Sequence, residues 1–285
     1  LKQQQQAQSL EVPELYCTLA MAQLAAFCAL LVLFVGGVQG QDDYMSLLQV
    51  NSEVGRDYAH DCTCMNWGEV YSEHEVECGD GMELNSFGGM QSKPFVGEEF
   101  CTRFYEKLTG NFCTQLHFSQ PQADQWCYVS PGCKDVKGGP MGSPPVSWKK
   151  CSAEQDTMLG QMTPEQVYEV AQREDKDAGL VLKMAYPVHS GLKWDDVKAY
   201  LVSGDKRGKL QQEANVELVK AVQESGQPMI FDSHDGHPPF GVVVGHKAYE
   251  SHFTPWFFQQ ITSGKDVFES PGKMNVYECV VGCSD

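Results

Sequence analysis

Apolar residues recur at helical spacing through the second half of the chain and at extended spacing near its end. The spacing predicts helices at 164–173, 177–185, 193–202 and 210–224. Thr163 and Pro164 form a typical helix start, because the hydroxyl caps free N–H groups and proline suits the first helical position. The fourth helix is predicted to pack through Leu210, Ala214, Leu218 and Ala221, and Gly226 to end it.

Beyond Gly226 the apolar runs are short and read as strands. They lie at 228–231, 240–245 and 274–281, and a further short helix is predicted after Thr254 and Pro255. The first two runs are apolar on both faces, so we expect them to be buried. Helices followed by a small antiparallel sheet predict an α+β fold.

The first half has a less regular pattern, dominated by cysteines and aromatic residues. Cys64, Trp67 and Val70 stand at helical spacing and predict a short helix that turns the tryptophan to the core. A longer helix is predicted over 98–109, and its apolar stripe is formed by Cys101, Phe104, Tyr105 and Leu108. Strands are predicted near 126–129 and 146–151.

The apolar run from Leu24 to Val35 is too short to span a membrane, which takes about 20 residues. Small residues follow it, so it predicts a signal peptide at 21–40 that is cleaved before Gln41. Residues 1–20 are expected to be upstream, non-structural sequence, and the acidic residues 41–61 a lead-in to the fold. A retained membrane anchor is the alternative, since no basic residue lies between Met21 and the apolar run.

Removal of residues 1–40 leaves ten cysteines, an even number that in an exported chain indicates a disulfide framework. They are Cys62, Cys64, Cys78, Cys101, Cys113, Cys127, Cys133, Cys151, Cys279 and Cys283. Zinc is the alternative for Cys62 and Cys64. Eight of the ten precede residue 152, which predicts a disulfide-rich domain at 62–151 and an α+β domain at 152–285.

Cys279 and Cys283 stand apart from the other cysteines. A straight strand would hold them roughly 13 Å apart, too far for a disulfide. A turn at Gly282 would bring them together, and a local bridge leaves the earlier eight cysteines an even set. The alternative joins one of them to the first domain, for example to Cys151.

The mature chain would keep 20 basic and 36 acidic residues, a formal charge of −16. A surface with this negative charge repels phosphate backbones and anionic membranes. Nucleic-acid binding is therefore not expected. We also expect no stable membrane anchor after cleavage of the signal peptide.

Metal-type side chains crowd in one segment, the predicted hairpin loop that carries Asp232, His234, Asp235 and His237. Carboxylate and imidazole groups at this spacing predict a divalent metal site, with His246 and His252 nearby. The alternative is a polar hairpin tip without metal. A cysteine-peptidase reading fails because the even cysteine count leaves no free thiol. The paired acids Glu98–Glu99 and Asp195–Asp196 are interpreted as favourable charges at helix starts.

Several short motifs resemble secreted cysteine-rich proteins of dinoflagellate algae: Cys-x-Cys-x-x-Trp from Cys62, Phe-Cys-x-x-Phe-Tyr from Phe100, Gln-Trp-Cys-Tyr-Val from Gln125, Val-Ser-Trp-Lys-x-Cys from Val146 and Lys-Met-Ala-Tyr-Pro from Lys183. The resemblance implies no activity. In such algae the secretory route also leads to the plastid, which is the alternative location.

The sequence therefore predicts a secreted, disulfide-stabilised binding or structural module with an extracellular protein or glycan as its ligand, without a cofactor. The alternative function is an extracellular metal-dependent hydrolase that uses the loop from Asp232 to His237.

Overall fold

The computed structural model describes residues 62–134, 139–140 and 146–283, and these contain seven α-helices and two β-sheets. The α+β class is confirmed. The predicted upstream segment at 1–20, the signal peptide at 21–40 and the lead-in at 41–61 lie outside the described residues. Within the described part, no helix combines the length and apolar character that crossing a membrane requires.

The helices are α1 (Trp67–Glu73), α2 (Lys93–Gly97), α3 (Pro164–Arg173), α4 (Ala178–Ala185), α5 (Trp194–Ser203), α6 (Glu213–Ser225) and α7 (Pro255–Thr262). The strands are β1 (Thr114–Gln115), β2 (Gln125–Val129), β3 (Gly139–Pro140), β4 (Ser147–Lys150), β5 (Val188–His189), β6 (Met229–Phe231), β7 (Phe240–Val244), β8 (Lys247–Phe253) and β9 (Asn275–Val281). Four strands form an antiparallel sheet in the order β1-β2-β4-β3, and β5 to β9 form a second sheet in chain order. The second sheet is mixed rather than purely antiparallel, because β5 pairs with β6 in parallel.

The start of α3 follows the prediction. Thr163 accepts a hydrogen bond from the Gln166 N–H (3.4 Å), and the Gln166 side chain accepts one from the Thr163 N–H (2.8 Å). This reciprocal capping satisfies two N–H groups that the first helical turn leaves free. Asp177 caps α4 in a similar way, and Gly226 ends α6 with a left-handed backbone, φ 65°.

Two helix predictions need correction. Over 98–109 the regular helix gives way to a wider turn at Glu98–Thr102 and a tight turn at Tyr105–Lys107, although all four predicted stripe residues are buried. For α6 the predicted face is right at Leu210, which is buried just before the helix, and at Leu218, which packs against buried residues, but it is wrong at Ala214 and Ala221, which are exposed. The helix buries Val216, Val219 and Val222 against the sheet. Valine side chains offer more aliphatic surface for burial than the alanines do.

Strands β6 and β7 of the five-stranded sheet are largely buried on both faces, as their apolar runs predicted. On one face, Ile230, Phe240 and Val242 join a large core that also contains Trp67 and Trp126 from the first half of the chain. On the other face, strand residues pack against α5 and α6 in a second core. Apolar contacts therefore cross residue 152, within one compact unit. A domain boundary near residue 152 would mean that each half can fold alone, and this stays a prediction.

All ten cysteines predicted to be oxidised are paired. The pairs are Cys62–Cys133, Cys64–Cys127, Cys78–Cys101, Cys113–Cys151 and Cys279–Cys283. The local bridge between Cys279 and Cys283 is confirmed, with 5.8 Å between the Cα atoms. Strand β9 runs on to Val281 instead of ending near Cys279, and Gly282 turns the chain with φ 67°.

The first half of the chain is built around a cluster of aromatic rings. The ring of Trp67 lies 5.0 Å from that of Trp126 and 5.5 Å from that of Tyr128, both in edge-on contact. Beside them Glu83 is 3% exposed, and its carboxylate accepts hydrogen bonds from the hydroxyls of Tyr71 (2.7 Å) and Tyr128 (2.5 Å). Burial raises the pKa of Glu83 above its ordinary value of 4.5, against the effect of these hydrogen bonds.

This raised pKa gives Glu83 a distinct pH signature. The folded state binds the proton more tightly than the unfolded state, so the contribution of Glu83 to stability is greatest below pH 4.5 and falls as the pH rises through the folded pKa. In urea unfolding over a pH series, the stability advantage of the wild type over Glu83→Gln should shrink as the pH rises above 4.5. Glu278→Gln removes an exposed carboxylate outside the aromatic cluster and serves as the control for the loss of one acid. A wild-type advantage that grows with pH would contradict the raised pKa.

Candidate functional site

A cavity of about 390 Å³ opens where three separate segments of the chain meet, and we call it the charged cleft. Its walls come from the turns after α2, the α3–α4 connection and the loop that follows α7. Six carboxylates and three cations line it: Glu98, Glu99, Asp175, Asp177, Asp266, Glu269, Arg103, Lys107 and Lys176. The charged cleft therefore has a formal charge of −3 on its walls.

The acids of the α3–α4 connection are fixed by backbone contacts. Asp175 has φ 49°, and its Oδ1 accepts a hydrogen bond from the Gly272 N–H at 3.1 Å. Glycine at 272 permits this close approach, since a Cβ atom there would lie 2.7 Å from that same oxygen and would displace it. Asp177 accepts from the N–H groups of Gly179 (2.7 Å) and Leu180 (3.1 Å). The Asp175–Gly272 contact ties the α3–α4 connection to the loop after α7, whereas Asp177 caps its own helix.

The basic residues of the charged cleft are partly occupied by contacts of their own. The Arg103 guanidinium carbon lies 3.7 Å from the centroid of the Phe268 ring, and its Nε donates to Glu98 at 3.1 Å. Lys176 is buried, and its Nζ donates to the backbone carbonyl of Glu174 at 2.5 Å. Burial lowers the pKa of Lys176. The side chains of Glu99 and Glu269 are exposed in the cleft wall.

A second cavity, of about 310 Å³, lies at the start of α3. There Glu165 accepts a short hydrogen bond from the hydroxyl of Tyr249. Burial alone would raise the pKa of Glu165, but this hydrogen bond and the charge of Lys247 contribute to a net lowering. Burial also raises the pKa of Tyr249. At neutral pH Glu165 therefore stays ionised and Tyr249 stays protonated. The pair is suited to fixing the position of the two side chains and not to transferring a proton.

The predicted metal loop connects β6 to β7, and the structure gives its first acid a protein partner. Asp232 Oδ1 accepts hydrogen bonds from Lys183 Nζ and from the Ser233 N–H, both at 2.9 Å. Lys183 Nζ also donates to the Gly236 carbonyl at 2.5 Å and lies 4.8 Å from the Phe240 ring centroid. A buried lysine therefore already neutralises the carboxylate that a metal would use.

The other three candidate ligands lie at the exposed tip of the loop. Asp235 Oδ1 accepts from the Ser233 hydroxyl (2.9 Å) and from the His237 N–H (3.2 Å), which closes a turn. Those hydrogen bonds lower the pKa of Asp235. His234 and His237 are exposed. In the described part of the chain, the groups of three or more metal-type side chains whose ligand atoms converge contain cysteines and not this loop. The metal site at the loop stays a prediction.

The sequence did not identify the charged cleft. Glu98 and Glu99 lie in the first turn of a helical segment, as their pairing predicts, and they also form one of the walls of the charged cleft. The sequence does show an excess of acidic residues in each of the three segments that form the cleft. The spacing of these acids along the chain does not show that the three segments meet in the fold.

Comparison of the chain with protein-family models, with curated proteins and with solved structures found no match. The function therefore has to be inferred from the arrangement of the residues.

Two substitutions distinguish a structural role of the loop from a metal site. Asp232→Asn leaves the 7% exposed Lys183 side chain without its counter-charge, which should cost about 3 kcal/mol of unfolding free energy. Asp235→Asn affects only the exposed turn and should change stability far less. Urea unfolding with and without a chelator measures both. The opposite result would be an equal loss of unfolding free energy in both variants, together with the same loss in the wild type when the chelator is added. That result would show that the loop holds a metal.

Proposed function

We propose that this chain is an extracellular binding module and that its charged cleft binds a cationic side chain of a polypeptide ligand. The observation that carries the proposal is the contact of Arg103 with Phe268 and Glu98. It is an internal example of a guanidinium held between an aromatic face and a carboxylate, the combination that recognises cations in proteins. The remaining acids of the cleft offer further carboxylates to a ligand.

Charge supports a cationic ligand over a glycan. The cleft has a formal charge of −3 and belongs to a chain with a formal charge of −17. A field of one sign attracts ligands of the opposite sign and raises their association rate. Neutral sugars gain nothing from such a field, so of the two ligand classes expected from the sequence, protein is the better fit.

An exposed aromatic ring in the cleft wall, together with exposed apolar residues on the helix before it, supports a polypeptide over a small amine. Phe268, which lines the cleft, is 42% exposed, and Phe258 and Ile261 on the preceding α7 are 56% and 53% exposed. Exposed large apolar groups beside charged ones are typical of protein-binding surfaces. A ligand that alternates basic and apolar residues would match both features.

Five disulfides support the extracellular location. Disulfides persist in oxidising compartments and are rare in the cytosol. The disulfide-stabilised framework is a feature of the structure, while export from the cell is part of the proposal.

The test uses a synthetic eight-residue peptide of alternating arginine and leucine, with calorimetric titration as the readout. The double variant Glu99→Gln/Glu269→Gln removes two cleft charges whose side chains are exposed, so the fold should be retained. We expect its Kd to rise about ten-fold, as two exposed ion pairs contribute about 0.5 to 1 kcal/mol each. Phe268→Ala should weaken binding as well.

The matched control is Glu224→Gln/Glu278→Gln, which makes the same change in net charge on exposed residues that do not line the cleft. It should bind the peptide like the wild type. Equal weakening by both double variants would mean that only the overall charge matters. Equal binding of a peptide with neutral citrulline in place of arginine would also contradict the proposal.

A further inference from the structure

Two disulfides lie against each other in the core of the first half of the chain. Cys64–Cys127 joins the segment before α1 to β2, and Cys113–Cys151 joins the residue before β1 to the residue after β4. The Cys64 and Cys113 sulfur atoms, which belong to different disulfides, are 3.4 Å apart. All four sulfur atoms lie within 4.8 Å of one another. This cluster, which we call the four-sulfur cluster, has no part in the proposed ligand cleft.

We propose that the four-sulfur cluster is a redox-gated metal site: two disulfides when oxidised, and a tetrathiolate site for a soft divalent cation such as Zn²⁺ when reduced. In a tetrahedral zinc site the Zn–S distance is 2.3 Å, which places the sulfur atoms about 3.8 Å apart. The sulfur atoms of this cluster already lie within 4.8 Å, so the move needed is on the order of 1 to 2 Å for each bonded pair.

The backbone can keep its place during such a change. The Cα atoms of the two pairs are 5.6 and 6.5 Å apart, so a rotation about each Cα–Cβ bond separates the sulfur atoms without moving the strands. Those strands are held independently by the β1–β2 and β2–β4 ladders. Three of the cysteines are 4% exposed or less, which keeps water away from a bound ion.

A buried ion pair lies directly beside the sulfur atoms. Lys149 Nζ is 2.7 Å from Asp156 Oδ1, with side chains 5% and 3% exposed, and that oxygen lies 3.6 Å from Cys64 Sγ. Asp156 is balanced by Lys149 and by the Ser152 N–H at 3.0 Å. The lysine therefore prevents Asp156 from adding an uncompensated negative charge to the thiolates.

The chemistry balances with a thiol or phosphine reductant. Each disulfide takes up two electrons and two protons to give two thiols. Two thiols of the reductant supply both and become one disulfide, whereas a phosphine takes its oxygen from one water molecule, passes the two protons of that water to the thiols and becomes a phosphine oxide. Cys151 is half-buried and is the point of entry for the reductant. The freed Cys113 thiolate then lies beside Cys64 and can attack it, which forms a Cys64–Cys113 disulfide and releases the Cys127 thiolate; a second equivalent of the reductant cleaves that disulfide. Binding of one Zn²⁺ to the four thiols releases their four protons.

The test uses Co²⁺ as a spectroscopic substitute for Zn²⁺ on the full chain, reduced with a water-soluble trialkylphosphine without denaturant. We expect one Co²⁺ per chain with the intense visible bands of tetrahedral thiolate coordination, and displacement of these bands by Zn²⁺. Untreated, oxidised protein should give no bands. Far-ultraviolet circular dichroism on the same samples reports whether the reduced chain stays folded or refolds when metal is added.

Two variants locate the site. Cys64→Ser/Cys127→Ser removes half of the ligands and should abolish the four-sulfur bands, whereas Cys279→Ser/Cys283→Ser removes a remote disulfide and should keep them. The proposal fails if the reduced wild type gives no bands. It also fails if the reduced chain unfolds and metal does not restore it, or if the bands survive in the first variant.

Discussion

The burial of helix α4 on almost every side is the constraint on which the rest of the structure depends. Seven of its eight residues are buried, which is typical of a helix that is apolar all round and lies inside a core. Toward the first half of the chain, the Met184 sulfur accepts a hydrogen bond from the Tyr105 hydroxyl (3.6 Å), and the Ala185 carbonyl accepts one from the Gln125 side-chain amide (2.8 Å). Toward the second half, Lys183 pairs with Asp232. This one short helix therefore packs against both halves of the chain.

This central helix also explains why the charged cleft exists. Its capping residue Asp177 forms part of the cleft wall and accepts a hydrogen bond from Asn275 at the start of β9. Asp175, two residues earlier, holds Gly272 from the loop before that strand. The cleft acids are thus fixed by the same contacts that fix the core, and a preformed site loses less entropy when it binds.

Local signals in the sequence predicted most elements, because they act between neighbouring residues. The capping of α3 by Thr163, the end of α6 at Gly226 and the turn at Gly282 all follow from residues that prefer one backbone conformation. The packing face of α6 was predicted only in part, because Leu218 packs on the same core as the valines, whereas Ala214 and Ala221 are exposed and only the position of the sheet decides which side is covered. The charged cleft and the four-sulfur cluster were out of reach, since both depend on contacts between residues far apart in sequence.

We infer that the chain from Cys62 to Cys283 unfolds as one cooperative unit, because its two halves share the core around α4. Differential scanning calorimetry of the oxidised protein tests it most directly. We expect a single transition in which the calorimetric and van't Hoff enthalpies agree. Two separable transitions, or a calorimetric enthalpy well above the van't Hoff value, would show that the halves unfold independently and would contradict the shared core.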